Sequence, residues 1–392
     1  MRILQVMPFF TPTRGGSVTV PYDLIKALGE RGHQITLVTT DFEFDEEYAR
    51  SLEGVEVLAF PCVANLSLFL YSPAMAKWLK ENLASFDIVH LHEFRTYQNT
   101  AVLRYSKKWN VPFVVQAHGS AAIIAGKGIL KRAYDLVWGK RIIKRAGACL
   151  AVSELEVPDY LGLGADRANI KVIPNGLRPE NFRLSAQRGS FRKDLGLGHD
   201  DVLILFFGRL NRIKGVDVLI KAFARLWQVR KNAYLVIAGP DDGQEQELTD
   251  LARSSGCGGS IRFVGPIPSS KRASAYADAD VVAYPSRYEI FGMVPFEAIM
   301  CGTPVVVSSD CGCGQMIIKA SCGLAVPLED DEALASAIGD ILDDSQMAKE
   351  MVTRGQKYIV ENLRGDLVAK MVDGAYREAL DKRRYNLKLG KG

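Results

Sequence analysis

Of the 392 residues, 48% are hydrophobic and 24% are charged, with a formal net charge of +4, which supplies apolar material for two globular domains and gives no reason to expect a nucleic-acid partner. No run of 18 or more apolar residues occurs, and MRILQVMPFF has neither a cationic n-region nor a small-residue cleavage site, so a cytoplasmic chain without a membrane span is expected. The seven cysteines are odd in number and contain no C-x-x-C pair, which reads as reduced thiols rather than a zinc site, even where Cys301, Cys311, Cys313 and Cys322 gather.

Apolar strand-like runs alternate with helical patterns twice over, predicting an α/β chain with two parallel-sheet domains. The first set is RILQVM, ITLVTT, VEVLAF, DIVHLH, FVVQAH, CLAVS and IKVIP; the second is VLILFF, YLVIAG, IRFVG, VVAYPS, PVVVSS and GLAVP. Gly15 and Gly16 follow the first strand, where missing side chains let a ligand approach the backbone. His90 and His92 alternate along one strand and share a face, but no third ligand follows at usable spacing, so they read as structural. His118 ends FVVQA and precedes a glycine; it projects at a cleft edge or sits as a core histidine, and geometry alone leaves the two readings even.

Residues 127–145, KGILKRAYDLVWGKRIIKR, carry seven cations against the single acid Asp135, a local +6 that exceeds the net +4 of the whole chain. A basic helix with Tyr134 and Trp138 suits an anionic membrane surface. Arg141 and Lys144 nevertheless fall on the side of Leu130, Tyr134 and Val137 at helical spacing, and packing on the sheet with a solvated basic face is the competing reading. Residues 177–200 are polar, glycine-containing and without clear periodicity, which places a linker between a domain at 1–176 and another at 201–365.

In the second half, FFGRLNRIKGVDVLI puts Arg209 and Lys214 in a strand-to-helix loop, before a helix with apolar spacing at Val216, Leu219, Ile220, Phe223 and Trp227. Such loops line the crevice at the carboxyl ends of parallel strands, and a fork-like Arg near a point-charge Lys suits a diphosphate. Asp278 and Asp280 imitate an Asp-x-Asp metal motif but read as a helix end turning into a buried strand. EIFGMVPFEAIMCGTPVV then places Glu289 and Glu297 around Gly292 and Pro295. On one continuous helix the two carboxylates would stand ~12 Å apart. Gly292 permits a turn and Pro295 favours a first helical turn, so Glu289 is expected in the loop and Glu297 about one turn inside the helix, with the N–H groups of Gly292, Met293 and Val294 aimed at an anion between them. DLVAKMVDGAYREAL is helical and RRYNLKLGKG a basic, loose tail, together assigned to 366–392. Neither G-x-G-x-x-G nor G-x-x-x-x-G-K-[ST] occurs, which disfavours a dinucleotide dehydrogenase or a P-loop enzyme.

The order Gly208-Arg209, Lys214-Gly215, Glu289-IFG-Glu297 and GTPVV, preceded by TRGGS, RGHQITLVTT, DIVHLHEF, AHGS, AVSE and VIPNGL, resembles the retaining glycosyltransferases of family 4 over roughly the whole chain. The resemblance implies the GT-B fold, with two Rossmann-like domains facing a cleft and the C-terminal helix crossing back to the first. It implies sugar transfer from a UDP- or GDP-sugar, without a metal or other cofactor, to a glycan, lipid-linked or small-molecule acceptor of cell-envelope synthesis. Arg209 and Lys214 would then neutralise the leaving diphosphate, Glu297 would hold ribose hydroxyls, Glu289 would contact the donor sugar, and His118 would touch the sugar beside the reacting carbon. One departure is DCGCGQMI, with Gln315 where members often carry Glu after a Gly-Gly pair. A nucleotide-sugar epimerase of similar fold and a silent sugar-nucleotide-binding module are the alternatives.

Overall fold

The computed structural model describes residues 1–123, 128–183 and 189–388. Lys127, residues 184–188 of the expected linker and 389–392 of the basic tail lie outside the described residues. The chain divides into two compact units: residues 1–176 with 365–392 form unit 1, and residues 177–364 form unit 2.

Unit 1 contains β1 (Arg2–Val6), β2 (Gln34–Thr40), β3 (Glu56–Phe60), a short antiparallel hairpin of β4 (Ala64–Leu66) and β5 (Phe69–Tyr71), then β6 (Ile88–His92), β7 (Phe113–Gln116), β8 (Ala148–Ala151) and β9 (Ile170–Val172). Seven of these form a wholly parallel sheet in the order β3-β2-β1-β6-β7-β8-β9. Its strands are apolar on both faces because both are covered. Leu4 and Val6 belong to the core on one side, and Ile3 and Met7 to the core on the other. The second core is completed by the helix Gly365–Lys388, which packs Val368, Ala369, Val372, Ala375, Tyr376 and Ala379 against Leu24, Ile25 and Leu28 of the helix Gly16–Glu30.

Unit 2 carries β10 (Val202–Phe207), β11 (Ala233–Ala238), β12 (Ile261–Gly265), β13 (Val281–Tyr284), β14 (Val305–Ser308) and β15 (Leu324–Val326), all parallel, in the order β12-β11-β10-β13-β14-β15. Strand order reverses beside β1 in unit 1 and beside β10 in unit 2, the positions where open sheets leave a crevice at the strand carboxyl ends.

All thirteen predicted strand runs are strands; the β4–β5 hairpin was not anticipated. Residues 177–200 are counted with unit 2 rather than standing apart. They form the short helices Glu180–Arg183 and Ser190–Asp194, and Phe191 is buried. The tie is Asp278, whose carboxylate accepts from Gly189 N, from Phe191 N at 2.7 Å and from Arg192 N at 3.1 Å. Asp280 accepts from Leu203 N at 2.7 Å and pairs with Arg192 at 2.6 Å. The Asp-x-Asp pair therefore fastens a polar segment onto the sheet, at the end of the helix Ser269–Asp278 and just before β13.

Candidate active site

Two strand-to-helix loops of unit 2 hold most of the residues singled out in the sequence. After β10 the chain runs through Gly208 and Arg209 into a 3-10 turn, Arg212–Lys214, and then the helix Val216–Val229. Gly215 joins turn to helix at φ +67°, and a Cβ there would stand 2.1 Å from the Pro285 carbonyl oxygen, so only glycine lets this loop lie against the one after β13. Across that contact Lys214 ion-pairs with Glu289. Tyr284, the last residue of β13, closes the group: Lys214 Nζ donates to its hydroxyl at 2.8 Å, and the hydroxyl donates to Glu289 Oε2 at 2.8 Å. Burial, and then the Glu289 charge, push the Tyr284 phenol well above its ordinary value, so it keeps its proton.

Gly292, at φ +78°, makes the turn after Glu289; a Cβ on it would meet Glu289 Cγ and Cys313 Sγ, each at 2.9 Å. The helix Val294–Met300 follows, with Pro295 in its first turn and Met293 accepting from Phe296 N and Glu297 N at 3.0 Å. Glu289 thus lies in the loop and Glu297 inside the helix. Glu297 is buried and bonds elsewhere: Tyr276 donates to it at 2.8 Å, and Arg272 stands 3.8 Å away. Arg209 shares the loop of Lys214 but faces another acid, Asp242, at 3.4 Å, and its side chain is 57% exposed.

The sequence reading missed Arg287. It donates to Asp217 from two nitrogens at 2.7 Å each, pairs with Glu329, and donates to the Arg212 carbonyl at 2.6 Å, while its own N–H bonds the Ile213 carbonyl at 2.7 Å. These bonds pin the turn that carries Lys214. Burial raises the Asp217 carboxyl, but the Arg287 hydrogen bonds and charge outweigh it and hold the group below its ordinary value.

In unit 1, Gly15 has φ +64° and Gly16 begins the helix Gly16–Glu30; a Cβ on either would meet nothing within 4 Å, so the backbone there is open. His118 follows β7 at φ +51°, and Glu93 and Arg95, after the neighbouring β6, also have positive φ, at 66° and 61°. Three non-glycine residues in this costly region at adjacent strand ends mark a place where the surrounding structure dictates the backbone. Arg95, buried, supplies much of that constraint: it donates to both Asp135 oxygens at 2.9 Å and to the carbonyls of Ser120 at 2.6 Å and Ala121 at 2.8 Å. Glu156 fastens the same loop, accepting from Gly119 N at 2.6 Å and Val152 N at 2.8 Å.

A buried relay reaches His118 from the far end of the sequence. His118 Nε2 lies 3.0 Å from His92 Nδ1, His92 Nε2 lies 2.7 Å from Gln5 Oε1, Gln5 Nε2 donates to the Tyr376 hydroxyl at 3.3 Å, and that hydroxyl lies 2.7 Å from His90 Nδ1. With the Gln5 oxygen toward His92, His92 donates from Nε2 and its Nδ1 must accept from His118, which leaves His118 Nδ1 as a bare acceptor. Burial holds His118 at about 4 and, with a smaller contribution from the neighbouring His118 charge, His90 at about 3; His92 also lies well below its ordinary value, chiefly through burial.

Such histidines stay neutral in the native protein, while the unfolded chain binds protons below about 6.5, so the stability they confer is complete above that pH and is lost as pH falls. Glu156 has the opposite sign. Burial raises it to about 7, and its contribution is lost as pH rises toward that value. Three histidines outweigh one carboxyl, so unfolding free energy should decline between pH 7.5 and 5, and more steeply in the wild type than in His118→Asn. Denaturant titrations at the two pH values measure this; parallel slopes for both proteins would contradict it.

The segment 128–145 corrects the expected helical face. It runs as Gly128–Tyr134, a π-turn Asp135–Gly139 and Lys140–Arg145. The extra residue of the π-turn re-phases the helix, so Tyr134, Asp135, Gly139, Ile142 and Ile143 face inward while Leu130 and Val137 are exposed. Among the described residues, no group of three or more His, Cys, Asp or Glu could hold a metal ion.

The two parallel sheets, with loops at their switch points, form the GT-B fold, and comparison with known proteins identifies the family. The family model for glycosyl transferases group 1 matches residues 187–358, and that for Glycosyltransferase Family 4 matches residues 14–181. A D-inositol 3-phosphate glycosyltransferase of Corynebacterium urealyticum is 30% identical over 77% of this chain and 74% of its own. An uncharacterized glycosyltransferase of Methanocaldococcus jannaschii is 27% identical over 97% of this chain and 99% of its own. Sucrose-phosphate synthase of Thermosynechococcus elongatus superposes with a TM-score of 0.80 at 23% identity, covering 97% of this chain and 100% of that one. Anabaena HepE in complex with UDP and glucose does so with 0.79 at 20% identity, covering 95% and 98%. The chain belongs to the group 1 glycosyltransferases, in glycosyltransferase family 4.

Proposed function

We propose that the protein moves a sugar from a UDP- or GDP-sugar to an acceptor hydroxyl with retention of anomeric configuration and without a metal ion. The observation that carries this reading is the Lys214–Glu289–Tyr284 group at the carboxyl ends of β10 and β13, with Arg209 on the same loop. As the bond from the anomeric carbon to the phosphate oxygen breaks, its electron pair passes to the diphosphate. Preplaced Lys214 and Arg209 stabilise that growing charge more than the ground state. The acceptor oxygen attacks the same face, and its proton goes to the departing phosphate. Glu289 would contact the donor sugar and Glu297 the ribose; Gly15, Gly16 and the N–H groups of Gly292, Met293 and Val294 would approach the donor's anionic part, and His118 would accept from a sugar hydroxyl through Nδ1. Anabaena HepE, similar in fold, has been solved with UDP-glucose, which supports a donor of this kind.

Nucleotide release from a panel of UDP-, GDP- and ADP-sugars, with and without acceptors, tests the reading, and NMR of the product's anomeric proton tests retention. Epimerised donor without release would favour an epimerase, and binding without turnover a silent module. Activity is expected to survive EDTA, because Lys214 and Arg209 supply the charge that a metal would otherwise bring. Loss with chelator and recovery with magnesium would overturn the metal-free mechanism.

We also propose peripheral attachment to an anionic membrane in cell-envelope glycan synthesis. Ile129 and Leu136 are 85% and 74% exposed beside Arg132 and Lys140, the mixture that settles into a headgroup layer. Among the described residues no helix is long and apolar enough to cross a membrane. Binding to vesicles should rise with phosphatidylglycerol content and drop when Lys131, Arg132, Lys140 and Arg141 become Gln; equal binding by both proteins would end the idea.

A further inference from the structure

A recess of about 690 Å³ opens on the flank of unit 1, between the helix Tyr97–Trp109 and the segment 128–145. Arg104 and Lys107 line it from the first helix, and Arg141, Lys144 and Arg145 from the second. Among the described residues none of these five cations has an ion pair or hydrogen bond to a protein group. Their combined charge exceeds the net +4 of the whole chain. Arg104 stands three residues from Lys107, and Arg141 three and four residues from Lys144 and Arg145, so like charges face one another a single turn away, an arrangement that weakens a helix unless an anion lies between them. The same recess carries Tyr97 and Trp138, whose ring faces suit the apolar face of a sugar.

From these observations we propose that the recess binds an acidic glycan, a short run of sugars bearing carboxylates or phosphates, stacked on the rings and paired with both rows of cations. The volume lies in the range of sites that enclose a small ligand. Its cations, though not Tyr97, stand away from the strand ends that carry Gly15 and His118. With a rise of ~1.5 Å per residue, Arg104 and Lys107 stand roughly 10 and 15 Å below the start of their helix at those ends. A glycan is favoured over a bilayer because the recess is concave, and because the most exposed apolar residues nearby, Ile129 and Leu136, do not line it. The site goes beyond the donor reading and does not depend on it.

Isothermal titration of the full chain with trigalacturonic acid, with neutral maltotriose, and with soluble inorganic pyrophosphate tests the idea, alongside flotation with phosphatidylglycerol vesicles. Trigalacturonate should bind, maltotriose should not, and the double variant Arg104→Gln/Lys107→Gln should weaken binding by about tenfold. Because both side chains are exposed, with no ion pair and only a long contact of Arg104 over the Tyr105 ring, the variant should keep the wild-type melting temperature, which distinguishes lost contacts from lost fold. Trigalacturonate affinity that the double variant leaves unchanged would overturn the site. Pyrophosphate binding as tight as that of trigalacturonate would overturn the glycan and leave a bare phosphate site. Vesicle binding lost in the double variant with no trigalacturonate binding would overturn it in favour of the membrane.

Discussion

Replacing Lys214 by alanine is expected to lower kcat/KM by about 100-fold or more, equal to about 2.7 kcal/mol of transition-state stabilisation. Two effects act together. The ammonium that would meet the departing diphosphate is gone, and Glu289, a partly buried carboxylate, keeps only the Tyr284 hydroxyl and now repels the incoming phosphates. The second effect makes the prediction specific: adding Glu289→Gln to Lys214→Ala should recover donor binding, though not turnover, since the repulsion goes while the missing cation stays missing. Arg209→Ala should cost a similar factor with no change in melting temperature, because its contact to Asp242 is exposed and long. Near-normal turnover by the Lys214 variant, with its fold verified by circular dichroism, would remove the diphosphate clamp.

Tyr376→Phe should damage both the stability and the chemistry of unit 1. Losing the hydroxyl strands His90 Nδ1 and the Gln5 amide in a buried core, at a cost of about 1–3 kcal/mol for each unsatisfied group. Gln5 is then free to turn over, and the polarity of the whole relay is no longer set. We expect kcat to fall about tenfold with donor KM unchanged, as when a general acid–base or positioning group is misaligned. The five histidines of the chain make the direct test tractable: nitrogen-15 shifts should show one tautomer for His118 in the wild type and a mixture in the variant. A single unchanged tautomer would sink the relay while leaving any role of His118 itself intact.

The strands and the Lys214 loop were legible because their signals are local. An apolar run such as VLILFF states its own burial, and Gly292 with Pro295 dictates a turn and a helix start within four residues. Residues that act by pairing across the sequence were not legible. Arg95 and Asp135 are 40 positions apart, Arg287 and Asp217 are 70 apart, and Gln5 and Tyr376 are 371 apart; nothing near any of them names its partner. His90 and His92 were read as structural, with no partner named; His92 bonds Gln5 of the first strand and His118, and His90 bonds Tyr376 of the last helix. The face of 128–145 was misread for a different reason: a single π-turn shifts helical phase, and regular 3.6-residue spacing has no means of announcing it.

Unit 2 is continuous in sequence and interrupts unit 1, whose final helix, Gly365–Lys388, is made only after residues 177–364. On the ribosome, at about 5–20 residues per second, the first 176 residues therefore wait roughly ten seconds or more for the helix that covers Leu24, Ile25 and Leu28 and brings Tyr376 to His90. During that interval the nascent chain exposes an apolar strip and an incomplete histidine relay, so a message truncated before codon 365 would yield a sticky polypeptide with no configured His118. Complete synthesis becomes a condition for catalysis, and half-made chains are offered to chaperones and proteases before they can handle a substrate.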